Sequence, residues 1–317
     1  MNRSLSTILL ATSLLAAARR GSAQSLYAAD SLIQRGAIQQ GESLYYAAVR
    51  VHPRDPQARL ALGRYLASRG AVRVGVTLVE EAVQFGLDRS TAAPVLAPMY
   101  GELEEYPELL SLPSSALSPA ERERARWLVA HPSRTIAADS IVMMSYVPRS
   151  ETAPAAPVGT VTLRVNGRPL VMALRTGGHG ISISETAAKY AQVHRFPANA
   201  ARSLVAAADS IGLSRVTMTN FPVTVESQPL GVDGSISLST LSRFSPSFDP
   251  LASRVMLHVG NARPDSSGVR LALMDSGGDL EINQAGGWAP LRLPQVATML
   301  TQRRWTLDLR HGQILVE

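Results

Sequence analysis

The hydrophobic period of this chain changes once, and the change falls on a proline-rich segment. Up to that point small and apolar residues recur at helical spacing. Beyond it, Thr160-Val-Thr-Leu-Arg-Val165 alternates polar and apolar residues, the period of a strand with one buried face. A pattern of period 3.6 cannot line one face of a sheet, nor a pattern of period 2 one face of a helix, so the two halves must be separate modules. Pro148 to Pro157, Pro-Arg-Ser-Glu-Thr-Ala-Pro-Ala-Ala-Pro, carries three prolines and no apolar period, and reads as the linker between them. The expected class is α+β multidomain. With 317 residues, 45% apolar and only 18% charged, sizeable cores are affordable and a long disordered chain is excluded. Aromatics are 5%, so these cores rest on Leu, Val, Ile and Ala.

The first residues carry the marks of an export signal. Arg3 precedes an apolar run from Leu5 to Ala18, too short for a membrane span, and Gly21-Ser22-Ala23 offers small residues for cleavage. Arg19 and Arg20 after the run leave an uncleaved anchor as the alternative. No later stretch approaches about 18 consecutive apolar residues, so no stable membrane insertion is expected after cleavage. Periplasmic or extracellular residence follows. The formal charge of +6 is almost all arginine, scattered singly or in pairs; no basic stripe argues for nucleic acid. There is no cysteine, which excludes disulfides, thiolate metal sites and thiol catalysis.

Within the helical part Leu32 recurs as Leu66, Gly36 as Gly70, Gly41 as Gly75 and Ala48 as Ala82, each pair 34 residues apart. Small residues suit the line where two helices touch, with Leu32 and Leu66 filling the space between. This spacing resembles the tetratricopeptide repeat, a stacked helix-turn-helix unit of that period. A helical bundle with a chance period is the plainer alternative. A third, degenerate unit spans roughly residues 90–112, keeping Tyr100 but placing Pro94 and Pro98 in its first helix. Ser118-Pro119-Ala120-Glu121 then starts a closing helix with a capping box and proline at its first position. Two such units bury little surface alone, so packing against the rest of the chain is expected.

In the β-rich half, Asn166-Gly167 marks a type I′ hairpin, and Val171-Met-Ala-Leu174 forms a strand running into Arg175-Thr176-Gly177-Gly178. Ile181-Ser-Ile-Ser184, a short helix from Glu185, a strand pair up to Val225, and Val232-Asp-Gly-Ser-Ile-Ser-Leu-Ser-Thr-Leu-Ser-Arg-Phe244 follow in order. Over about a hundred residues this resembles the retropepsin-like aspartic peptidases, single-lobe relatives of pepsin. The resemblance implies an acid-protease β-barrel in which a strand ends in Asp-Thr-Gly or Asp-Ser-Gly and, some sixty residues on, an apolar pair and a glycine cross behind it. Here Thr176 and Gly177 match, but Arg175 stands at the aspartate position and Ser237 at that glycine. Aspartic peptidases share one proton between two carboxylates that activate a bound water. An arginine, protonated at any physiological pH, can do neither. The resemblance therefore implies a pseudoprotease, with no catalytic residue expected. Arg175, Thr176, His179 and Gly234 remain as the binding residues of a former cleft.

Leu271-Ala-Leu-Met-Asp275-Ser276-Gly277 repeats the motif with its aspartate, and Asp275 is the alternative catalytic residue. Only 42 residues follow it, too few for a second lobe, and a tight turn between two strands is the competing reading. Asp233 and Asp249 are expected to cap a turn and to follow a strand. The six histidines show no i, i+4 pair, so no metal is expected, nor any cofactor; no phosphate-binding loop or serine-hydrolase elbow occurs. The expected organisation is signal 1–23, helical repeats 24–147, linker 148–157, retropepsin-like domain 158–262 and a C-terminal β extension 263–317. Two functions stay open: an exported, non-catalytic protein holding a peptide or protein partner, or an active aspartic-type endopeptidase using an unexpected carboxylate or an active partner subunit. Facing Arg175 guanidinium groups would disfavour a family-type homodimer, so a monomer is expected, with each Arg175 paired locally or clamping an anion.

Overall fold

The computed structural model describes residues 24–148, 158–196, 203–226, 232–260, 262–263, 268–276, 279–284, 287–291 and 294–317. The export signal and residues 149–157 of the expected linker lie outside these. Residues 24–34 form helix α1, followed by α2 (Ile38–Val51), α3 (Pro56–Ser68), α4 (Val72–Gln84), α5 (Arg89–Glu102), α6 (Tyr106–Ser111) and α7 (Pro119–Ala130). No helix among the described residues is long and apolar enough to cross a membrane.

The 34-residue period has a backbone cause. Gly36 (φ 79°) and Gly70 (φ 86°) end α1 and α3 in the left-handed region, and Glu104 (φ 59°), a further 34 residues on, does the same after α5. At each, the amide three residues past the helix closes onto a helical carbonyl: Ala37 onto Leu32, Ala71 onto Leu66, Glu105 onto Tyr100, all at 2.9 Å. Gly63 and Gly75 let α3 and α4 touch: a Cβ on either would meet the other's carbonyl oxygen, at 2.9 and 2.7 Å. Leu32 and Leu66 are only half-buried, because the helix end turns them toward the rim; Ile33, Leu62 and Tyr65 fill the interior instead. α5 runs unbroken through Pro94 and Pro98, both on its exposed face, where water can satisfy the carbonyls they leave unpaired. The capping box of α7 forms as expected, between Ser118 and Glu121.

The helices stop at Ala130, not at 147. Ile141-Val-Met-Met-Ser-Tyr-Val-Pro148 buries Val142, Met144 and Tyr146 and exposes the residues between, a strand period that assigns it to the β region. Strands β1 (Arg134–Ala137) and β2 (Ile141–Pro148) therefore precede β3 (Gly159–Val165), β4 (Arg168–Arg175), β5 (Ile181–Ser184), β6 (His194–Arg195), β7 (Ser203–Leu213), β8 (Val216–Glu226) and β9 (Gly234–Ser237). The hairpin between β3 and β4 turns at Asn166 (φ 48°) and Gly167 (φ 78°), the two positive angles of a type I′ turn. β3, β4, β9, β5, β8 and β7 pair in that order, and β3 pairs back onto β7, closing a barrel around Leu163, Leu174, Ile183, Ile211, Met218 and Ile236.

The remaining strands are β10 (Ser247–Asp249), β11 (Arg254–His258), β12 (Val269–Ser276), β13 (Asp279–Gln284), β14 (Gly287–Pro290), β15 (Trp305–Asp308) and β16 (Gln313–Val316). They continue the same sheet through β2–β11 and β10–β15. The C-terminal segment is thus not an appendage outside the core, as the family pattern implied. Trp305 stacks on Phe248 with ring centroids 3.9 Å apart, and both belong to the single core of the β region.

Candidate functional site

The strand that ends at Arg175 is bound to its neighbour in an uncommon way. β4 pairs in parallel with β9 (Met172↔Gly234 through Arg175↔Ser237), while β5 pairs antiparallel with the other edge of β9 (Ile181↔Ile236). The chain thus leaves β4, turns through residues 176–180 and returns as β5, and β9 threads between the two. This crossing requires Gly234: a Cβ there would collide with the Ser182 carbonyl and sit 2.7 Å from Met172 Cε. Gly234 is buried beneath the loop, and its part is to let three strands pass, not to contact a ligand.

The loop between β4 and β5 is fastened from below. A short helix (Leu238–Leu241) begins at Ser237, whose Oγ accepts the Thr240 amide at 3.2 Å. Thr240 Oγ1 accepts the Gly180 amide at 2.8 Å, and Ser239 Oγ donates to the Gly178 carbonyl at 3.2 Å. Ser237 therefore acts as a helix cap. Above, the C-terminal segment covers the loop: the Thr176 carbonyl accepts the Leu280 amide at 2.9 Å, and Gly177 bridges Asp279. Thr176 is buried.

Arg175 is half-buried. Its guanidinium lies 3.9 Å from Glu226 Oε1 and 3.4 Å from Ser182 Oγ, and folds back over Gly178, whose left-handed backbone (φ 72°) leaves room for it. Its Nε is out of reach of solvent and has no hydrogen-bond partner among the described residues. Glu226 thus supplies the local carboxylate that a non-dimeric Arg175 requires. The end of β4 thus holds a cation beside a carboxylate of β8.

His179 and Asp275 come together, with Nε2 3.7 Å from Oδ2, and the Asp275 side chain is 11% exposed. Ser276 pairs with Asp279 in the antiparallel ladder of β12 and β13; Gly277 and Gly278, on which the turn reading falls, lie outside the described residues. Asp233 accepts the Val171 amide at 2.8 Å and braces the edge of β4. Asp249 is buried and paired with Arg254 (3.2 Å) and Arg304 (3.0 Å). Neither reaches the loop's ligand face. Among the described residues no group of three or more His, Asp or Glu is placed to hold a metal ion.

Sequence reasoning missed what lies behind the loop. A cavity of about 920 Å³ opens between the helices and the barrel, lined by Gly70–Val74, Pro98 and Gly101–Glu104 on one side and by His179, Gly180, Ser239, Arg243 and Arg310 on the other. Glu102 reaches solvent at its mouth. Even so, burial of the carboxyl holds its pKa above the ordinary range, opposed by His179 and reinforced by Asp275. The available signal was the 34-residue spacing of Gly36, Gly70 and Glu104, since all three turns face the β region.

No protein-family model matches the chain, and no curated protein matches it. Among solved structures, it is similar to the crystal structure of a retropepsin-like aspartic protease from Rickettsia conorii. That match has 13% identity and a TM-score of 0.27, and covers 39% of this chain and 92% of that one.

Proposed function

We propose that this chain is an exported protein, periplasmic or extracellular. In this reading a catalytically inactive, retropepsin-like domain and tetratricopeptide-like repeats together hold a peptide or protein partner. The observation that carries the reading is Arg175 at the end of β4, in parallel register with Ser237 of β9 and against Glu226. At that place an aspartic peptidase positions the carboxylate that activates water; a guanidinium does not release its proton at physiological pH and has no basic lone pair. Glu226 neutralises it, so the loop keeps its shape without the chemistry. The covering of Thr176 and Gly177 by β13 leaves no free edge for a family-type second subunit, which supports a monomer.

The test uses the full mature chain and a fluorescently labelled peptide digest of a denatured protein. The expected outcome is retention of some peptides on gel filtration and their recovery intact at acid and neutral pH. Recovery of shortened peptides would overturn the inactive assignment, and retention of none would overturn the binding role. The second reading, an aspartic-type endopeptidase, is favoured by one observation: Asp275, in Asp-Ser-Gly, lies against His179 of the same loop.

A further inference from the structure

The cavity behind the loop is unevenly charged. Arg124, from α7, lines it and donates to the Val223 carbonyl at 3.4 Å, but pairs with no carboxylate within 4 Å among the described residues. Arg310 lines it from the barrel side, donates to the Arg243 carbonyl at 3.1 Å, and likewise has no carboxylate among the described residues. Arg243 spends its charge on Glu104, 2.9 Å away. The other acid in the lining, Glu102, stands at the solvent-exposed mouth rather than against Arg124 or Arg310. Hydrogen-bond donors are also in excess. The Tyr106 hydroxyl on the same wall has no partner among the described residues, and the nearby Ser133 hydroxyl donates instead to Asn220. Burial lowers the pKa of Arg124, as expected of a cation short of both water and counter-charge. The volume, about 920 Å³, is that of a site for a ligand of several residues or a drug-sized molecule rather than a lone ion.

We propose that this cavity receives the carboxylate side chains of an acidic peptide, paired with the guanidinium groups of Arg124 and Arg310. The planar fork of arginine accommodates a carboxylate through two parallel hydrogen bonds, and a partly desolvated pair of this kind discriminates strongly against a neutral amide of the same shape. The inference rests on the peptide-holding reading above and adds to it the class of peptide and the place where it sits, on the helical side of the loop rather than across Arg175.

The test is fluorescence anisotropy of the full mature chain with three labelled peptides of one sequence, carrying glutamate, glutamine or lysine at the variable positions. The glutamate peptide should bind roughly tenfold or more tightly than the glutamine peptide, and the lysine peptide most weakly. Arg310→Gln, at an exposed residue that can change without unfolding the chain, should remove much of that preference, and Arg124→Gln more. The double variant Arg50→Gln, Arg54→Gln removes two positive charges from exposed arginines far from the cavity, one more than either cavity variant, and should leave it intact. Equal binding of the glutamate and glutamine peptides would overturn the proposal while leaving the peptide-holding reading standing. So would a preference that the distant double variant reduces as much as the cavity variants. Failure of all three peptides to bind would count against both.

Discussion

Gly70 does two jobs that no other residue can do together. Its φ of 86° ends α3, and a Cβ at that point would collide with the Leu309 carbonyl of the barrel region. Gly70→Ala should therefore cost on the order of 3 kcal/mol, part left-handed strain and part lost docking, read from urea denaturation of the full chain. Gly101→Ala, where a Cβ meets open space, is the control and should change stability little. Arg175 shows the other side of residue-scale legibility. Its identity is plain in the sequence, whereas its partner, Glu226, is 51 residues away on β8 and no spacing rule joins them. Leu32 and Leu66 were recognised as a repeat but misplaced. Their recurrence reflects where a helix ends, and their carbonyls, not their side chains, make the repeated contact. Asp249 and His258 set the response to acid. The backbone amide of Ala252 and the guanidinium groups of Arg304 and Arg254 outweigh burial and hold the Asp249 carboxyl below its ordinary range. Burial alone lowers the His258 imidazole, whose Nε2 contacts Ser247 Oγ at 3.0 Å. In both cases the unfolded chain binds protons more readily than the folded one. The stability each contributes is present above its unfolded pKa and is lost as pH falls through the folded value. Urea midpoints should fall in two stages, first below about pH 6.5 and again below about pH 4. Asp249→Asn should remove the lower stage, and a midpoint independent of pH across both windows would contradict the assignment.

At the scale of elements, what could be read in advance was whatever the local chain dictates. The Asn166-Gly167 hairpin, the α7 capping box and the strand–loop–strand order around Arg175 all form as the sequence implies. β2 was hidden because it lies between a helical segment and a proline-rich one, so its alternation was absorbed into the helical module. The threading of β9 between β4 and β5 depends on pairing across some sixty residues and is expressed locally only by Gly234. The helical hairpins carry a separable prediction. Each repeat turn touches the β region: Gly36 beside Asn283, Gly70 beside Leu309, Glu104 paired with Arg243. Arg69 adds a hydrogen bond to the Leu273 carbonyl, and Trp288 one to the Ile33 carbonyl. A fragment of residues 24–130 loses all of these and keeps only short helical pairs, so it should show non-cooperative melting by circular dichroism. A cooperative transition near that of the full chain would make the repeats independent.

For the whole molecule, one continuous sheet joins the barrel to the C-terminal strands, and those strands cover the loop that a second subunit would otherwise meet. The chain should therefore sediment as a monomer at high ionic strength, where repulsion between Arg175 copies is screened and only the covered edge can prevent pairing. A stable dimer that Arg175→Asp strengthens would instead place the interface at this loop. Fold class was legible from the single change of hydrophobic period; the shape of the cavity was not, because it is formed by surfaces that meet only after both modules have folded. The account turns on whether a chain with arginine at the end of β4 cleaves anything. The decisive measurement is proteolysis of a denatured protein across acid pH by the wild-type chain and by Asp275→Asn, each with and without pepstatin. The account predicts no cleavage above buffer by either. Pepstatin-sensitive cleavage by the wild type that disappears in Asp275→Asn would contradict it.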